Sequence, residues 1–278
     1  MYKFQFEILF HIIGIGASSG LFLNNKILYV IADNSTYLYQ YNLKDSLLSK
    51  IKLQDNSREN IIKSEKADLE AITKINNKYY IFGSGSTAKR NSLLIYNSTD
   101  KTTTKKDLTT LYTNLGKTFN INHDNINIEG VVNYSNNWFF FQRGNGNQSK
   151  NGIFSFKGEL ENPSNLEFIT IDLPKVNNVS ATFTDAVLVK NKIYFLAAIE
   201  DSKSTYKDGA ILGSYIGCFN TKTKTIEFIE KISDTKKLEG LTVFKSNNKE
   251  IIFWLCEDKD DNEDLTSTIY QLKIIKTT

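Results

Sequence analysis

The sequence predicts an all-β fold, a five-bladed β-propeller with four antiparallel strands per blade. A short signature recurs five times at a near-constant period, and each copy leads through asparagine into a strand-forming run. The composition also suits strands: 14 Tyr, 18 Phe and only two Pro. The signature is an oxygen-bearing residue, then Gly or Ala, then an aliphatic residue. It reads Ser19-Gly20-Leu21, Glu70-Ala71-Ile72, Glu129-Gly130-Val131, Asp185-Ala186-Val187 and Glu239-Gly240-Leu241. The small residues lie 51, 59, 56 and 54 positions apart, so 278 residues hold five units.

Shortly after each signature comes a turn containing Asn24-Asn25, Asn76-Asn77, Asn136-Asn137, Asn191 or Asn247-Asn248. Asparagine tolerates positive φ, so these read as tight hairpins. The second strands follow at residues 26–32 (KILYVIA), 78–83 (KYYIFG), 138–142 (WFFFQ), 192–198 (KIYFLAA) and 250–256 (EIIFWLC). Each unit continues into one or two more strand-like runs, but the last supplies only three strands, ending in residues 267–275. Residues 3–12 (KFQFEILFHI) are expected to be its missing outer strand, closing the ring as one domain over residues 1–278 without an unpaired seam. The same segment loosely mimics a signal peptide, but Glu7 and His11 interrupt its apolar stretch. A retained strand and a cytoplasmic protein are expected, with export the alternative if residues 1–18 act as a signal.

Charge and cysteine content narrow the function classes. The 34 basic and 31 acidic residues are interspersed, so no stripe tracks a phosphate backbone and nucleic acid is not an expected partner. No run approaches the length of a membrane span, so no membrane role is expected. Cys218 and Cys256 sit in strand-like runs without metal spacing, as small apolar residues would. Two histidines, His11 and His123, make a histidine-based metal site or a Ser-His-Asp triad a poor fit. A monomer is expected.

The inner strand of every blade enters from one face, so the signature oxygens Ser19, Glu70, Glu129, Asp185 and Glu239 should form a ring at one mouth of the channel. Four converging carboxylates must be protonated, paired with Lys or Arg, or bound to a cation. Calcium, which accepts six to eight oxygens in irregular geometry, suits such a ring. The alternative is that each acid accepts a backbone N–H from the next blade and locks the blades together. The polar loops after the second strands lie at the same mouth. They bring Lys89, Arg90 and Arg143 as a clamp for a small anionic ligand, with Asp33 and Glu200 placed to orient water. The loop at 256–267 carries Glu257, Asp258, Asp260, Asp261, Glu263 and Asp264 but lacks EF-hand spacing, and reads as a solvated acidic loop.

The motif order resembles the calcium-activated nucleotidase (apyrase) family, a five-bladed propeller with one channel calcium, and also phytase-like and esterase-like bacterial propellers. Glu70 and Glu129 match that family's second- and third-blade glutamates. Trp138-Phe139-Phe140 followed by Arg143 matches its aromatic strand and arginines, and Leu238-Glu239-Gly240-Leu241 its last signature. This chain has Gly20 where the family has an acid after the first-blade serine, one arginine rather than two, and Asp185 where a serine is expected. The resemblance implies a calcium site. It leaves two functions open: a module that binds a small anion or a protein loop at the channel mouth, or a calcium-dependent hydrolase of phosphate esters or nucleotides.

Overall fold

The computed structural model describes residues 2–201, 209–258 and 265–276. Strand β1 (Tyr2–Ile13) precedes four sequential blades, each a four-stranded antiparallel meander. Blade 1 is β2 (Ser18–Asn24), β3 (Ile27–Ala32), β4 (Tyr37–Asn42) and β5 (Leu47–Lys52). Blade 2 is β6 (Leu69–Ile75), β7 (Lys78–Gly83), β8 (Ser92–Asn97) and β9 (Thr102–Asp107). Blade 3 is β10 (Ile128–Tyr134), β11 (Asn137–Gln142), β12 (Gly152–Glu159) and β13 (Asn162–Thr170). A small hairpin, β14 (Lys175–Val176) and β15 (Val179–Ser180), leads to blade 4: β16 (Thr182–Val189), β17 (Lys192–Asp201), β18 (Ala210–Asn220) and β19 (Thr225–Ser233). Blade 5 is β20 (Leu238–Ser246), β21 (Glu250–Glu257) and β22 (Thr266–Lys276), and β1 pairs antiparallel with β22 as its outer strand. The ring therefore closes as the N-terminal pattern predicts.

Positive φ falls where the hairpins need it, at Asn25 (56°), Asn76 (54°) and Asn136 (61°). In blade 4 it falls on Lys190 (60°), one residue before the predicted Asn191. Blade 5 solves its turn differently, with the Asn247 carboxamide oxygen accepting the amides of Lys249 (2.8 Å) and Glu250 (2.9 Å).

The apolar side chains form five clusters, one between each pair of neighbouring blades. Because each blade is covered on both faces, its middle strands are continuous apolar runs rather than alternating ones. In β11 the side chains divide by parity: Trp138 and Phe140 pack toward blade 2, Phe139 and Phe141 toward blade 4. Each fully buried Phe contributes roughly 1.5–3 kcal/mol of transfer free energy.

One α-helix and two single 3-10 turns, Ala88–Arg90 and His123–Asn125, depart from the all-strand expectation. Helix α1 (Thr109–Phe119) joins blades 2 and 3 and buries Leu111, Tyr112 and Leu115 in their shared cluster, with the Tyr112 hydroxyl donating to the Gly83 carbonyl (2.9 Å). Asn120 closes the helix at φ 54°.

Candidate cation site at the channel mouth

The signature marks a β-bulge. In blades 1 to 3, Ser18, Leu69 and Ile128 pair with the second strand, and so do Gly20, Ala71 and Gly130. The residue between, Ser19, Glu70 or Glu129, is extra. An unpaired residue at the start of the innermost strand is free to aim its side chain at the channel mouth. The small residue that follows is dictated by close approach between inner strands. A Cβ on Gly130 would lie 2.7 Å from the Ala186 amide, and one on Gly240 would lie 2.9 Å from the Leu21 amide.

The bulge corrects one expectation. In blade 4 Phe183 and Asp185 are both paired, so the extra residue is Thr184 and Asp185 occupies the small-residue position. Side-chain bonding agrees: the Ser19 hydroxyl donates to the carbonyl of Leu69 (2.5 Å), the residue before Glu70. The Thr184 hydroxyl donates to that of Leu238 (2.7 Å), the residue before Glu239. The ring is therefore Ser19, Glu70, Glu129, Thr184 and Glu239. Blade 4 thus brings a hydroxyl to the bulge, one residue before the signature acid. Asp185 is a blade lock instead, its carboxylate accepting the amides of Ala186 and, from blade 5, Leu241, both at 2.6 Å. Burial pushes its carboxyl well above the usual range, against those two amide bonds.

A second tier of charge surrounds the ring. The residue leaving the second strand donates its amide to the residue entering the first: Asp33 to Ala17 (3.2 Å), Ser84 to Asp68 (2.9 Å), Arg143 to Asn127 (2.7 Å) and Asp258 to Lys237 (3.1 Å). These pairs set Asp33, Asp68, Arg143, Lys237 and Asp258 beside the ring glutamates. Lys66 bridges Asp33 and Asp68 (2.9 Å to the latter), and Arg90 pairs with Asp68 (2.8 Å). Arg143 joins Glu129 (3.2 Å) to Glu200 (2.9 Å) across blades 3 and 4, and Lys237 joins Glu239 (3.3 Å) to Asp258 (3.0 Å). Among the described residues the mouth thus holds seven carboxylates against four cations.

Glu70 is the exception in this network. It is 9% exposed, yet among the described residues it has no hydrogen bond and no ion pair. Burial first, and then the charges of Asp68, Glu129, Asp33 and Glu239, push its carboxyl well above the usual 4.5. Glu239 is raised by burial too, with Lys237 opposing, and Glu129 by burial with Arg143 opposing. Burial likewise raises Asp33 against the pull of Lys66. Asp68 is also buried, but Lys66, Arg90 and the Ser84 hydroxyl (2.5 Å) outweigh that and hold it below its usual value. Carboxylate oxygens of Glu70, Asp68 and Asp33 lie within 4.8 Å of one another, an oxygen set a hard cation can use.

The remaining predicted residues divide. Arg143, Asp33 and Glu200 are at the mouth, all in ion pairs, and Glu200 also accepts the Gly209 amide (2.9 Å). Arg90 is there as well, fully engaged by Asp68, Ser86 and the Lys63 carbonyl. Lys89 is exposed, its ammonium on the Ser64 carbonyl (3.2 Å), away from the ring. Asp260, Asp261, Glu263 and Asp264 lie outside the described residues. Lys66, Asp68 and Lys237 were missed in the sequence. They stand in the irregular segments just before β6 and β20, and Asp68 is in the left-handed region (φ 55°), so no strand periodicity marks them.

The sequence matches the model of a family of unknown function, DUF6929, over residues 14–274. No curated protein matches it. Among solved structures it is similar to a putative exported protein from Bacteroides fragilis (11% identity, 99% of this chain and 96% of that one, TM-score 0.45). It is also similar to an exo-1,5-α-L-arabinanase from a bovine ruminal metagenomic library (8% identity, 92% of each chain, TM-score 0.49). The tail fibre of Staphylococcus aureus phage P68 is similar at 10% identity and TM-score 0.49. That match covers 98% of this chain and about half (52%) of the fibre.

Proposed function

Since the chain belongs to DUF6929, a family whose function is unknown, we propose from the site itself that the protein binds a divalent cation, calcium, at the channel mouth. The observation that carries this reading is Glu70. Among the described residues this buried carboxylate has no hydrogen bond or ion pair, only the field of Lys66, which Asp33 and Asp68 already hold. The other two glutamates of the ring are each paired with a cation. An uncompensated buried charge costs several kcal/mol, and a bound cation removes that cost. Asp68 and Asp33 lie within reach of the same ion. Calcium fits better than magnesium because the oxygens come from separate blades and loops, an irregular set that an octahedral ion tolerates poorly.

The loaded mouth then receives a small anion or a protein loop through its acidic groups, with the cation as the recognition element. Binding is favoured over phosphate-ester hydrolysis because Lys66, Arg90, Arg143 and Lys237 are each already held by carboxylates, so none of these four is free to neutralise a transferring phosphoryl group. The experiment is calorimetric titration of chelator-treated protein with calcium and with magnesium, beside Glu70→Gln. Saturable calcium binding that Glu70→Gln abolishes supports the reading, and no binding by the intact protein ends it. Phosphate release from nucleotides by the calcium-loaded protein would favour the hydrolase.

A further inference from the structure

We propose that Lys66 is a tethered counter-ion of the channel-mouth site: it holds two of the carboxylates that calcium needs, and its ammonium withdraws when they take the ion. The inference rests on the reading of the mouth as a calcium site. It adds the residue that sets the calcium concentration at which the site fills.

Lys66 stands in the irregular segment before β6, and its side chain is only 11% exposed. Its ammonium lies 2.9 Å from Asp68 Oδ1 and in direct contact with Asp33 Oδ2. Those are two of the three carboxylates whose oxygens gather within 4.8 Å, and Glu70 is the third. Burial alone would lower the lysine's pKa, but Asp68, Asp33 and Glu70 outweigh it and keep the ammonium charged. A divalent ion on the same carboxylates would stand beside that charge, and like charges in a buried site repel strongly. The two cations therefore compete.

The cations on Asp68 are not equivalent. Its Oδ2 accepts from Arg90 (2.8 Å) and from the Ser84 hydroxyl (2.5 Å). Arg90 is pinned in turn by Ser86 (2.8 Å) and the Lys63 carbonyl (3.0 Å). The Lys66 ammonium, by contrast, is held among the described residues by Asp33 and Asp68 alone. Lys66 can thus leave by giving up only contacts that the ion replaces, and the oxygen it frees on Asp68 is Oδ1. Its flexible four-carbon stem lets the ammonium swing out while the backbone stays in place. Glu70 favours the exchange, because one ammonium spread over Asp33 and Asp68 leaves this third acid unpaired while a divalent ion can serve all three.

The test is calcium titration of chelator-treated wild type, Lys66→Gln and Lys66→Arg, beside lysine acetylation of the wild type mapped by mass spectrometry in chelator and in calcium. Lys66→Gln frees Asp33 and Asp68 and should bind calcium more tightly by about tenfold or more. Lys66→Arg keeps the charge and can grip both carboxylates, so it should bind no more tightly than wild type. Lys66 of the wild type should resist acetylation in chelator and become reactive in calcium, while Lys237, paired with Glu239 and Asp258, stays protected in both. The acetylation pattern decides even if Lys66→Gln does not fold in chelator. Calcium binding by the wild type with Lys66 still protected, or an affinity that Lys66→Gln leaves unchanged or weakens, would overturn this inference and leave the calcium reading standing. No calcium binding by wild type or by Lys66→Gln would overturn both.

Discussion

The same bulge performs two jobs around the ring. In blades 1 and 4 it carries a hydroxyl, Ser19 or Thr184, which donates to the next blade's carbonyl and holds two blades together. In blades 2, 3 and 5 it carries a glutamate, which cannot donate once ionised and brings charge to the mouth instead. Neutral bonding groups lock and charged ones wait for a partner. Glu129 has Arg143 and Glu239 has Lys237, while Glu70 has neither. Local geometry is shared, so the chemistry of one side chain decides whether a position is structural or ligand-seeking.

That contrast can be broken most severely at Arg143, whose side chain is 12% exposed between Glu129 and Glu200. Arg143→Ala strands two carboxylates and should cost about 3–5 kcal/mol in urea denaturation, because a buried charge is left unpaired. A cost near zero would mean that Glu129 does not depend on its arginine. Next comes calcium itself, which at a hundredfold its dissociation constant should stabilise the protein by about 2.7 kcal/mol. Glu70→Gln should erase that gain while raising stability in chelator, because a neutral amide replaces the unpaired acid. The same difference should appear with pH. Glu70 and Glu239 have carboxyls raised above their unfolded value of 4.5, so the fold retains protons that the unfolded chain has released. In chelator, stability should therefore fall as pH rises above 4.5 through the raised folded-state values, and calcium should reverse the fall. A chelated protein that gains stability over that rise would contradict the burial of these carboxyls. The hydroxyl positions give the smallest effect. Thr184→Val and Ser19→Ala should each cost about 1–2 kcal/mol, equally with and without calcium, since each removes one buried hydrogen bond.

The propeller was legible because each blade repeats the bulge, the turn and the apolar second strand, and because residues 2–13 supply the strand missing from blade 5. The fourth bulge was displaced by one because Asp185-Ala186-Val187 imitates Glu-Gly-Val, and only pairing with β17 reveals that Thr184 is the extra residue. Helix α1 carries its own signal, with Leu108, Leu111, Tyr112 and Leu115 at helical spacing, inside a unit whose other segments read as strands. Partner choice was the least legible. Nothing local to Lys89 and Arg90 says that adjacent cations turn to opposite sides, one to a cleft and one to Asp68.

Closure by β1 also orders events during synthesis. Residues 2–13 leave the ribosome before every blade but must wait for residues 266–276 before they can pair, while blades 1 to 4 are each complete in sequence order. The last contact to form is thus the one with the greatest chain separation, and it carries the largest loop-closure penalty. Until then a strand bearing Ile8, Leu9 and Ile13 offers its unpaired backbone to any neighbouring chain, so ring closure is the step most exposed to aggregation.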